Sequence, residues 1–127
     1  MKAVIWIPAV LLLAACASTK VEIPEDTPPA KLIQKAQEAS DTNKYKTALR
    51  YYQTLLEWYG DSAEYLCTAE YEIAFIRYKQ RRYNEARSLF ESLLSLYSRA
   101  EAAGTRLPPQ FKILSEKVLA RITELGH

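Results

Sequence analysis

NKYKTALRYYQTLLEWY (Asn43–Tyr59) and RRYNEARSLFESLLSLY (Arg81–Tyr97) are one pattern written twice. Laid one over the other, Tyr45 falls on Tyr83, Ala48 on Ala86, Tyr52 on Phe90, Leu55 on Leu93, Leu56 on Leu94 and Tyr59 on Tyr97, each pair 38 residues apart. The matched positions follow the i, i+3, i+4, i+7 spacing of one helical face. A period in this range marks an array of helix pairs, none of which can bury its apolar face alone. Twelve residues before Ala48 and Ala86 stand Ala36 and Ala74. Small side chains there let a preceding helix approach closely, while the aromatic at Tyr52 or Phe90 fills the groove beside it.

Working outward from the repeat, the pattern predicts five helices and no strands. The first runs from about Ala30 to Ser40, opened by Pro28-Pro29, since the first helical turn tolerates proline. The second spans about Lys44 to Tyr59 with Gly60 as its C-cap, and Asp61 or Ser62 N-caps a third that reaches about Gln80. The fourth covers Tyr83 to about Ala102. Pro108-Pro109 starts a fifth, which runs to about Leu125. Its apolar face reads Phe111, Leu114, Val118, Ile122 and Leu125, with charges elsewhere, as the closing helix of an array requires. The fold class is therefore all-α: two helix pairs and a C-terminal capping helix over residues 30–127.

The small residue in the first helix and the aromatic–Ala–aromatic series in the second resemble a tetratricopeptide repeat. That resemblance implies a right-handed α-solenoid fragment whose concave surface is lined by the first helix of each pair. Asn43 and Arg81 stand where the family's turn has Gly, and Gly60 and Ser98 where it ends in Pro. The period exceeds the family's ~34 by about four, which predicts longer helices or a longer turn around Gly60-Asp61-Ser62.

Ahead of the repeats, Lys2 is followed by an apolar run from Ala3 to Leu13 and by Leu13-Ala14-Ala15-Cys16. A basic n-region, a short apolar h-region and small residues at the cut describe a secretory signal. The cysteine after the cut resembles the bacterial lipobox, which implies removal of residues 1–15 and acylation of Cys16. Two or more acyl chains give stable anchoring. Ala17 and Ser18, rather than Asp, follow the cysteine; this resembles the outer-membrane default and implies an address on its periplasmic face. Pro24, Pro28 and Pro29 make residues 16–29 an extended tether.

The chain has 17 basic and 15 acidic residues, so the strong basic excess of a nucleic-acid binder is missing. With Cys16 carrying lipid, Cys67 has no intramolecular partner and reads as a small buried apolar residue. The single histidine is His127, at an end where chains usually fray. No metal-ligand spacing, phosphate-cradling Gly loop or nucleophile–base pair is visible. The expectation is a non-enzyme with no cofactor beyond the lipid on Cys16 and no small-molecule substrate.

The third helix carries the sharpest hint. Leu66, Ala69, Ile73 and Ile76 mark one side and Tyr71, Phe75 and Tyr78 another, so the helix is apolar almost all round. Such a helix is buried between neighbours or has a face covered by a partner. In the resembled family, Tyr71, Phe75 and Tyr78 fall on the concave surface, with Ile33 and Gln37 as first-repeat counterparts. These five are the candidate partner-binding residues; the alternative is that the stripe packs on the fifth helix or the tether. The basic run Arg77, Lys79, Arg81 and Arg82 reads as a solvated helix end complementing the dipole; the alternative is contact with anionic lipid or an acidic partner.

The acylated leader, Pro-containing tether and the phrase YEIAFIRYKQRRYNEARSLFESLLSLY (71–97) together resemble the BamD-like lipoproteins of the outer-membrane β-barrel assembly machinery. The resemblance covers about residues 30–100 and implies docking on the barrel-forming subunit, with fewer repeats than the family usually carries. Two alternatives stand beside it. One is an envelope or peptidoglycan coordinator of the Tol-Pal-associated repeat type. The other is a transporter-associated ligand-binding lipoprotein.

Overall fold

A computed structural model describes residues 21–127. The expected leader (1–15), the expected lipidation site Cys16 and the first part of the tether lie outside the described residues. Five helices follow in order: α1 (Pro29–Asp41), α2 (Tyr45–Tyr59), α3 (Ala63–Lys79), α4 (Tyr83–Ala102) and α5 (Pro109–Glu124). Each packs on the next, and α5 also touches α3. The fold is all-α and repeat-like. The repeat's extra length lies in the helices, because the inter-pair turn is only residues 60–62.

The two copies superpose in burial as they do in sequence. Ala48 and Ala86, Tyr52 and Phe90, Leu55 and Leu93 are all buried. The first core gathers α1 and α2 residues with Ala69 and Ile76 of α3. The second gathers Cys67, Tyr71 and Ala74 of α3 with α4 residues and Ile122 of α5. Thus α3 contributes to both cores, which is why its sequence is apolar all round. Tyr52 differs from its counterpart Phe90 by a hydroxyl that is buried without a hydrogen-bond partner. An unmet buried hydroxyl costs about 1–3 kcal/mol. Tyr52→Phe is therefore expected to raise the unfolding free energy by about 1 kcal/mol, read from the urea midpoint at unchanged slope.

Two of the inter-helix turns take the left-handed conformation that favours glycine, though neither contains one. Asn43 has φ 58° and Arg81 φ 60°. At the first, the Asn43 N–H donates to the Ser40 carbonyl and the Lys44 N–H to that of Ala39; at the second, Arg81 donates to Tyr78 and Arg82 to Arg77. This is the Schellman pairing that satisfies orphan carbonyls at a helix end. Gly104 and Gly126, both at positive φ, close α4 and α5 in the same way. Asparagine tolerates the left-handed region and arginine does so poorly. Arg81→Gly is expected to stabilise the fold by about 0.5–1 kcal/mol, the relief of strain outweighing glycine's greater freedom when unfolded. Thermal unfolding of the variant checks this.

Gly60 is different: it caps α2 in the right-handed region. A Cβ there would lie 2.3 Å from the Leu56 carbonyl oxygen, so close backbone approach requires the glycine. Ser62 occupies the N-cap of α3, but its side chain makes no capping bond.

Three expectations need correction. The tether is not free to its end: Ile23 packs on the first core, and the Tyr59 hydroxyl donates to the Thr27 carbonyl at 2.9 Å. A turn between Pro24 and Thr27, closed by the Thr27 N–H at 3.1 Å, folds the segment back far enough to do this. Second, His127 is docked rather than frayed: its ring lies 4.7 Å from that of Tyr83, and Arg87 donates to its backbone oxygen.

Third, only part of the expected α5 face turns inward: Phe111, Val118 and Ile122 do, and Leu114 and Leu125 do not. Ser115 and Ile122 are buried, with Phe111, Val118 and Leu119 packed on the second core. Leu114 and Leu125 remain 37% and 41% exposed, and Ile113 52%. The reason is a register shared with α3. Phe111, Ser115, Leu119 and Ile122 stand 46 residues after Tyr65, Ala69, Ile73 and Ile76, the α3 residues that face the first core. Ser115 supplies the small side chain, its hydroxyl satisfied by the Phe111 carbonyl at 2.6 Å. Carried on by the same offset, α3's Tyr71, Phe75 and Tyr78 become Lys117, Arg121 and Glu124. The helix keeps the side that looks back along the array and replaces the forward aromatics with charge, as an end cap requires.

Candidate docking surface

Spacings of four and then three residues bring the α3 aromatics Tyr71, Phe75 and Tyr78 into line. The rings of Tyr71 and Phe75 stack with centroids 5.8 Å apart and planes at 12°. Phe75 and Tyr78 follow at 5.7 Å and 19°. Tyr83 of α4 continues the row at 5.7 Å from Tyr78, tilted. At the other end Tyr71 is wedged between Phe90 of α4 at 5.7 Å and Phe111 of α5 at 5.6 Å.

The ladder therefore has a buried foot and an open top. Tyr71 is buried, and burial, with Glu72 adding to it, pushes its hydroxyl up to about 12. It is core, the alternative weighed from sequence, and Phe111 of α5 is what covers it. Phe75 and Tyr78 pack against the second core but stay only partly buried. Ile33 joins the first core and Gln37 is exposed on α1, and no ring pair links either to the ladder. Of the five candidates the structure brings together three, and leaves two of those accessible.

Lys79 was not among the candidates, yet it joins the two repeats at this place. Its ammonium lies 5.5 Å from the Tyr45 ring and 5.4 Å from the Phe75 ring, and it donates to the Ser40 hydroxyl. Cation–π contact of this kind holds a charge against aromatic faces while leaving it able to meet an anion. The available signal was one turn of helix separating Lys79 from Phe75, but nothing local places Tyr45 opposite. Tyr45 is itself held by a 2.8 Å bond from its hydroxyl to the Asn43 side-chain oxygen.

Beside it, burial raises the pKa of Glu72, a shift opposed by Lys79 and reinforced by Asp41. A carboxyl whose folded pKa is raised binds its proton more tightly when folded. Its burial cost is present above that pKa and relieved as pH falls through it. Glu72→Gln is accordingly expected to melt higher than the parent at neutral pH, the gap narrowing under mild acid.

Of the basic run, Arg77 and Arg82 both pair with Glu85, at 3.1 and 2.7 Å. Cys67 is buried, and burial pushes its thiol up. Away from the ladder, an open pocket of about 400 Å³ lies where α4 gives way to α5, lined by Tyr97, Glu101, Arg106 and Lys112 among others. Among the described residues no group of three or more His, Cys, Asp or Glu could hold a metal ion. No helix among them is long and apolar enough to cross a membrane.

No family model matches the chain. No solved structure matches it. A protein of Treponema pallidum (strain Nichols), described only as uncharacterized, is 37% identical over 116 residues, covering 89% of this chain and 45% of that protein. The chain thus spans under half the length of that relative.

Proposed function

We propose that this chain is a non-enzymatic, lipid-anchored periplasmic interaction module, serving as an accessory lipoprotein in outer-membrane β-barrel assembly. Cys16 supplies the anchor, and the open rungs of the α3 ladder supply the contact with the barrel-forming subunit. The observation that carries the reading is the stacked pair Phe75–Tyr78, packed on the second core yet not fully buried, with Lys79 beside it. Stacked, rotamer-poor aromatics flanked by a cation make good anchors for a protein segment, because little conformational entropy is lost on binding. The BamD-like character of the leader and repeat supports the choice of partner.

The experiment is photo-crosslinking in cells from positions 75 and 78 of the full-length protein. The reading expects the barrel-assembly subunit to be captured, and capture to fail in a Phe75→Ala/Tyr78→Ala variant that still melts cooperatively. Capture of cell-wall or Tol-type proteins would transfer the function to envelope coordination. Crosslinks within the chain alone would end the docking reading.

A further inference from the structure

The two ends of the helix bundle differ in charge. Where residues 21–28 enter and the 60–62 turn lies, Glu22, Glu25, Asp26, Glu57, Asp61 and Glu64 are exposed. Lys31, Lys112 and other cations at that end offset them in part. The opposite end holds the turns 42–44 and 80–82, where Lys44, Lys46, Arg81 and Arg82 are exposed. Glu85 takes up Arg82 there, and Glu124 pairs with Arg121 at 3.0 Å. Among the described residues Lys44, Lys46 and Arg81 have no carboxylate within ion-pair distance, although Asp41 is exposed nearby.

A second observation singles out Arg81. It holds a left-handed backbone where glycine is the unstrained choice, and Gly104 and Gly126 fill the same role at the ends of α4 and α5. A strained residue that keeps a long cation at the surface points to use of the cation. A third is continuity: the Arg81 N–H bonds to the Tyr78 carbonyl, and Lys79 lies against Phe75, so the cations border the open rungs of the ladder.

We propose that this basic end seats an acidic segment of the partner protein, its carboxylates on Lys44, Lys46 and Arg81 and its neighbouring side chains against Phe75 and Tyr78. The inference rests on the docking module described above and names the chemistry of its occupant. A protein segment is favoured over an anionic membrane by placement. The chain enters at the acidic end, and the length of α1 carries the basic end roughly 20 Å away at 1.5 Å per residue. That exceeds the ~8 Å screening length at physiological salt, so a bilayer lying against the acidic end would be out of electrostatic reach of these cations.

The test uses the full-length protein in detergent and a fluorescent alternating Glu–Tyr peptide, with the Gln–Tyr peptide as control. The Glu–Tyr peptide should bind and the control should not. Lys44→Gln/Lys46→Gln/Arg81→Gln should weaken binding roughly 30-fold, at about threefold per exposed charge. Lys31→Gln/Lys112→Gln at the other end should leave it unchanged. Arg81→Gly is the decisive single variant: a purely structural arginine would gain stability and lose nothing, whereas the proposal expects a more stable protein that binds about threefold more weakly. Equal binding of the two peptides, or an undiminished triple variant, overturns the proposal. So does capture by phosphatidylglycerol vesicles through these cations without peptide binding. If the crosslinks from positions 75 and 78 to a partner survive in the triple variant, the module stands and only the acidic occupant falls. If those crosslinks never form, the module itself fails.

Discussion

Phe90→Ala is expected to lower the unfolding free energy by about 3–5 kcal/mol, a large share of the 5–15 kcal/mol of a typical domain. Phe90 is fully buried between α3 and α4 and abuts Tyr71. Truncation removes the transfer free energy of a whole ring and leaves a cavity that helices fixed by turns at both ends cannot readily close. Urea unfolding should show the midpoint falling sharply. A loss below about 1 kcal/mol would mean that the second core collapses around the gap. Because Phe90 and Tyr71 are in contact, their losses should not add. A double-mutant cycle is expected to return a coupling of about 0.5–1.5 kcal/mol.

Tyr71→Ala is expected to cost about 3 kcal/mol and to do so unevenly. Tyr71 touches Phe75 of its own helix, Phe90 of α4 and Phe111 of α5. The α5 helix also packs on α4 and on the second core through Ile122, Val118 and Leu119, but Phe111 is its contact with the Tyr71 ring, and Leu114 and Ile113 face solvent. Removing the ring should loosen α5 first, because local opening follows the density of buried apolar contact. Hydrogen exchange should therefore quicken across 109–124 while α1 and α2 keep their protection. Uniform loss of protection along the chain would show that the cap and both pairs open as one unit. The outcome also governs use of the ladder as a probe. Substitutions at Tyr71 test folding, and those at Phe75 and Tyr78 test docking.

The repeat was readable because its burial pattern obeys the same 38-residue offset as its residues, from Ala48/Ala86 to Tyr59/Tyr97. Helix type, number and order followed from that. On α5, Phe111, Val118 and Ile122 followed too, but Ser115 and Leu119 did not, because two overlapping stripes on that helix have helical spacing. Only packing on α3, through a serine counted as polar, decides between them. The left-handed turn at Arg81 was masked by a side chain that does not advertise that conformation, unlike Asn43. Within the candidate site, spacing along α3 aligned Tyr71, Phe75 and Tyr78. Which of them a fifth helix covers is a long-range fact that periodicity cannot carry. Lys79 was hidden for the same reason, its aromatic partner Tyr45 lying on another helix.

The bond from Tyr59 to the carbonyl of Thr27 has a mechanical meaning. A pull along the N-terminal segment reaches the far end of α2 before it reaches the first turn of α1. Load is thus applied across the first helix pair as shear instead of peeling α1 away turn by turn. Ile23 and the Pro24–Thr27 turn move with the domain, so they cannot act as its swivel. The helix pair that the N-terminal segment is tied to is the one that does not carry the ladder.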